Sequence, residues 1–121
     1  MYSPQVLDHF EHPRNAGVAA DADVTVQLEN PACGDVLKLT LKLAEERIAE
    51  IRFQAKGCVC SMACASALTE LVKGRMIAEA RALKREQVVA AVGGLPQAST
   101  HAAHLAVDAL AAALKHLDGK I

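Results

Sequence analysis

The amino-acid sequence predicts an α+β fold, in which a three-stranded antiparallel sheet is followed by helices packed mainly on one of its faces. Three observations carry that prediction. The first half of the chain holds runs in which apolar and polar residues alternate, the period of a half-buried strand. The second half is dominated by apolar residues at helical spacing. Hydrophobic residues make up 52% of the 121 positions and aromatics only 2%, so the core must be assembled from closely packed Ala, Val, Leu and Ile.

Residues 3–10 carry Val6, Leu7 and Phe10 on one face behind Ser3-Pro4, a cap and first-turn pair that predicts a short helix. His12-Pro13-Arg14-Asn15-Ala16-Gly17 breaks the pattern with a turn. Residues 24–28, 36–43 and 48–54 then alternate at period two and predict the three strands, with residues 44–47 joining the second and third as a hairpin. Helical spacing covers residues 61–73, 76–82, 85–92 and 101–117, with Gly74 and Gly93-Gly94 as stops. No repeat, low-complexity tract or linker interrupts the chain, which predicts a single domain over 1–121.

A formal net charge of -1 offers neither nucleic acid nor an anionic membrane any long-range attraction, and both are excluded as expected partners. No apolar run approaches the roughly 18 residues of a membrane span. The start, Met1-Tyr2-Ser3-Pro4-Gln5, lacks the layout of a signal peptide, so a cytoplasmic location is expected. In a reducing compartment the four cysteines read as metal ligands or sulfur chemistry rather than as disulfides.

Three segments could carry that chemistry. In Pro31-Ala32-Cys33-Gly34-Asp35, between two predicted strands, Gly34 lets the chain bend and presents a thiol and a carboxylate on one loop, although Asp beside Gly is also ordinary turn chemistry. Gly57-Cys58-Val59-Cys60-Ser61-Met62-Ala63-Cys64 runs from a strand into a helix. Cys58 there meets the free N–H groups of the helix start, which favour a ligand or nucleophile. Cys60 and Cys64 share a helical face, and Cys64 reads more simply as a small buried hydrophobe. Thr100-His101-Ala102-Ala103-His104 opens the last helix, capped by Ser99 or Thr100, with His101 and His104 on nearly one face. Imidazole is a common partner of thiolates at zinc and can hold cluster iron. His9, His12 and His116 read as solvent-facing. All three segments lie at element boundaries, which places a metal site at one end of the sheet. No Walker-type or dinucleotide glycine motif, paired-cysteine ribbon or nucleophile elbow competes with it.

These residues resemble the IscU and NifU N-terminal scaffold family, which assembles iron-sulfur clusters. The likeness runs from Tyr2-Ser3 and Val6-Leu7-Asp8-His9-Phe10-Glu11-His12-Pro13-Arg14-Asn15-Ala16-Gly17 through Pro31-Ala32-Cys33-Gly34-Asp35-Val36 and Phe53-Gln54-Ala55-Lys56-Gly57-Cys58. It continues through Glu70-Leu71-Val72-Lys73-Gly74 to His101 and Asp108-Ala109. It implies ligation of a [2Fe-2S] cluster, iron or, in the apo or as-purified form, Zn2+ by Cys33, Asp35, Cys58 and His101. The implied activity is non-catalytic: the chain binds iron, accepts sulfur from a cysteine desulfurase and passes a labile cluster to acceptor or carrier proteins, as one chain or as a homo-oligomer bridged by the cluster.

Two departures qualify the likeness. The family's third cysteine, directly after the histidine, is Ala102 here, which raises the expectation that Cys60, and less so Cys64, replaces it as ligand or sulfur acceptor. The family's chaperone-recognition stretch, Leu-Pro-Pro-Val-Lys, reads Leu95-Pro96-Gln97-Ala98-Ser99, which argues against handoff by specialised Hsp70/Hsp40 chaperones. The alternative function is a zinc-dependent, SufU-like sulfurtransferase using the same ligands to relay persulfide sulfur. Against it, the insertion carried by that branch of the family is missing.

Overall fold

In the computed structural model, residues 2–30 and 34–118 are described. They form α1 (Pro4–Glu11), β1 (Val24–Asn30), β2 (Asp35–Ala44), β3 (Arg47–Lys56), α2 (Val59–Val72), α3 (Ile77–Arg81), α4 (Arg85–Ala91), a 3-10 turn (Gln97–Ser99) and α5 (His101–Asp118). The strands lie in the order β1-β2-β3, antiparallel throughout, as the alternation predicts. Leu37, Leu39 and Leu41 of the central strand and Ile48, Ile51 and Phe53 of β3 are buried beneath the helices. Among the described residues no helix is long and apolar enough to cross a membrane.

The hairpin between β2 and β3 closes through Glu45 and Glu46 alone, with Ala44 opposite Arg47. Both turn residues have positive φ, 52° and 65°, as the twist of a two-residue hairpin demands. Left-handed backbone costs an L-residue roughly 1–2 kcal/mol. Glu46→Gly is therefore expected to stabilise the fold by about 1 kcal/mol, raising Tm by about 4 °C in a thermal melt. An unchanged or lower Tm would contradict this reading of the turn.

Helix α2 is the centre of the structure. Ten of its residues are buried, most of them small, which fits a helix enclosed on nearly all sides. One side lies on β3, while α1, α4 and α5 pack around the rest. Ser3 caps α1 by accepting the Val6 N–H at 3.0 Å, and its hydroxyl donates to the Val92 carbonyl at the end of α4. The turn after α1 also pairs with the free edge of β3: Gly17 N–H donates to the Phe53 carbonyl and Phe53 N–H to the Asn15 carbonyl. That pairing covers an edge that would otherwise be open to other strands.

His9 departs from the expectation of a solvent-facing residue. It is only 8% exposed, and its Nδ1 lies 2.7 Å from the Ser66 hydroxyl of α2. Spacing along α1 could not reveal this, because the partner is 57 positions away. Ser66 also accepts the Arg14 N–H, while Thr69 donates to the Ser66 carbonyl and accepts from the Asn15 amide. His9, Arg14 and Asn15 of the sequence turn thus bind α1 and its following loop onto α2. His12 and His116 are exposed, as expected.

Candidate metal centre

Three elements converge at one end of the sheet. Asp35 is the first residue of β2, Cys58 is the N-cap of α2, and His101 is the first residue of α5. One ligand atom from each, a carboxylate oxygen, Sγ and a ring nitrogen, lies within 4.8 Å of the other two. The fourth expected ligand, Cys33, lies outside the described residues.

Chain geometry explains the convergence. β2 begins opposite the end of β3, with Val36 paired to Lys56, so Asp35 meets the junction that follows β3. Gly57 makes that junction at φ +147°, and a side chain there would put its Cβ 2.1 Å from Asp35 Oδ1. Its lack of a side chain is what lets the carboxylate sit against the start of α2.

Cys58 N–H donates to Asp35 Oδ1 at 3.2 Å, and Ser61 Oγ donates to Oδ2 at 2.5 Å. Cys58 Sγ lies 3.3 Å from Ser61 Oγ and 3.7 Å from Asp35 Oδ2. The Ser61 hydroxyl and the Cys58 thiol both donate to Asp35 Oδ2. Asp35 is 3% exposed, and burial alone would push its carboxyl up. The bonds from Ser61 and Cys58, together with the nearby His101, outweigh that effect and hold it below the ordinary carboxylate value.

His101 Nε2 is 3.3 Å from Asp35 Oδ2 yet is a buried nitrogen with no hydrogen bond among the described residues. The two atoms are close without the geometry of a hydrogen bond. A buried ring nitrogen left unpaired beside a thiol and a carboxylate fits a cation that would accept its lone pair.

The other candidates lie elsewhere. Cys60 and Cys64 are fully buried in α2, outside this three-residue group. Burial pushes the Cys60 thiol up, partly offset by a hydrogen bond with Ser99, and pushes Cys64 up to about 12. Ala102 is buried as well, in the first turn of α5. His104 is exposed and faces Arg85 of α4. Sequence reasoning missed Ser61 and the role of Gly57. A serine three positions after Cys58 on a helix shares its face, and that spacing was the available signal for Ser61.

The family model described as the NifU-like N-terminal domain matches residues 1–121. The iron-sulfur cluster assembly scaffold protein IscU 1 of Archaeoglobus fulgidus is 44% identical over 114 residues, covering 94% of this chain and 74% of that protein. The iron-sulfur cluster assembly scaffold protein IscU of Escherichia coli (strain K12) is 40% identical over 123 residues, 98% of this chain and 95% of that one. The crystal structure of a NifU-like protein (N-terminal) from Brucella abortus has the same fold, with a TM-score of 0.82 at 17% identity over 98% of this chain and 95% of that chain. A family model spanning the whole chain, relatives at this identity and a shared fold agree: the chain belongs to the family of NifU-like N-terminal domains.

Proposed function

We propose that this chain is an iron-sulfur cluster assembly scaffold that takes up iron and sulfur, builds a [2Fe-2S] cluster and gives it up to acceptor proteins. The observation that carries the reading is the buried Nε2 of His101, without a hydrogen bond among the described residues, facing Cys58 and Asp35 within 4.8 Å. The relatives named as scaffolds support it. Cys33 joins the three as the fourth ligand. The burial and raised thiols of Cys60 and Cys64 support a ligand set without them. Cys58 receives sulfur from a cysteine desulfurase in this reading, which its partial exposure at the start of α2 supports.

The cluster is cargo, so the site must bind without trapping. Thiolates and imidazole suit iron in a cluster, whereas a carboxylate is a hard and weak ligand for it. Asp35 keeps the site exchangeable in this reading. The protein holds iron without turning over a substrate, which makes it a carrier rather than a catalyst.

Anaerobic reconstitution with ferrous iron, cysteine, a reductant and a cysteine desulfurase tests the proposal. A brown protein with iron and acid-labile sulfide in equal amounts is expected. Asp35→Ala is expected to keep its cluster severalfold longer in air, followed as loss of visible absorbance. A colourless protein that retains zinc and accumulates persulfide on a cysteine would instead support the sulfurtransferase.

A further inference from the structure

We propose that Ser61 is a positioning residue of this metal centre: its hydroxyl holds the Asp35 carboxylate with Oδ2 facing Cys58 and His101, and so sets how tightly the site grips a metal ion. The inference rests on the metal-binding reading above and assigns to it a residue outside the ligand set.

Asp35 needs such a hold. Rotation about the last bond of an aspartate is soft, with broad minima rather than sharp ones. The Cys58 N–H fixes Oδ1, but one bond leaves the second oxygen free to swing out of the site. Ser61 pins it. At 2.5 Å its bond to Oδ2 is the short kind that a hydroxyl makes to a charged carboxylate.

The position of Ser61 follows from helix geometry. It stands three residues after Cys58, on the same face of the first turn of α2, which brings Oγ to 3.3 Å from Sγ. Ser61 is itself buried, so water does not compete for its proton. A hydroxyl has one proton to donate and two lone pairs. Giving the proton to Asp35 directs the hold that Ser61 supplies onto the carboxylate. Held this way, Oδ2 lies 3.3 Å from His101 Nε2.

Hydrogen bonds that orient metal ligands are typically worth 10–100-fold in metal affinity. Anaerobic titration of the metal-free protein with Co2+, followed by the thiolate-to-cobalt charge-transfer band and the d–d bands, reads both affinity and geometry. Ser61→Ala is expected to weaken Co2+ binding by about 10–100-fold and to shift the d–d bands, with the charge-transfer band still present at saturation. Ser61→Thr, which keeps the hydroxyl, is expected to restore both. A second comparison does not depend on the threonine variant folding. In an Asp35→Ala background, Ser61→Ala is expected to cause no further loss of affinity, because the residue acts through the carboxylate.

Equal affinity and spectra for wild type and Ser61→Ala would overturn the positioning role and leave the proposed function standing. A full, additive loss in the Asp35→Ala background would overturn it too. A wild-type protein that binds Co2+ with no thiolate band would overturn the metal centre itself, and the role of Ser61 with it.

Discussion

Gly57→Ala is expected to destabilise the fold by about 2 kcal/mol and to weaken metal binding by about 100-fold. Two costs coincide at this residue. The backbone sits at φ +147°, where any side chain is strained. The added Cβ would also stand 2.1 Å from Asp35 Oδ1, 2.6 Å from its Cγ and 3.1 Å from its Cα. The carboxylate could swing aside, but the Cα belongs to the first residue of β2 and moves only if the strand does. Relief therefore breaks the bond from Cys58 N–H and turns Oδ2 away from His101. Urea unfolding and Co2+ titration of the same variant would measure the two effects. A wild-type midpoint together with wild-type affinity would refute the account.

His9→Ala is expected to cost about 2–3 kcal/mol and to remove part of the acid sensitivity of the fold. The substitution leaves a space in the contact between α1 and α2 and takes a partner from the buried Ser66 hydroxyl. Its pH signature follows from the direction of the His9 shift. Burial, then the Arg14 guanidinium, hold the imidazole below its ordinary value of 6.5, against weaker opposing effects of Glu70 and Asp8. The unfolded chain therefore takes up the proton first as pH falls. Stability is complete above 6.5 and declines below it, down to the lowered folded value, with a slope of at most about 1.4 kcal/mol per pH unit for one proton. Urea midpoints between pH 7 and pH 5 should fall more steeply for the wild type than for His9→Ala. Parallel curves would assign the acid sensitivity to other groups.

The elements were legible in the sequence wherever a local period existed. Strand alternation placed β1, β2 and β3 within two residues of their observed ends, and Ser3-Pro4 marked the start of α1. Of the four expected ligands, Asp35, Cys58 and His101 meet, because each stands at an element boundary that the periodicity itself delimits. What periodicity could not convey was contact between distant positions. The Ser61 to Asp35 bond spans 26 positions and the His9 to Ser66 contact 57, and each joins residues that look unremarkable in their own segments. Cys60 and Cys64 illustrate the same limit. Their shared helical face was correct, but only the packing of α2 shows that this face is in the core.

The three described candidate ligands come from a strand, a helix start and a second helix that are 23 and 43 positions apart along the chain, at 35, 58 and 101. No short segment of the unfolded chain could reproduce that arrangement, so occupancy and folding are thermodynamically linked. An ion bound only by the native state adds about 2.7 kcal/mol of stability when present at 100 times its dissociation constant. The same linkage runs in reverse. If α5 alone came away from the sheet, His101 would leave with it, and a loaded chain could discharge by local melting of one helix while Cys58 and Asp35 stayed together on the remaining core.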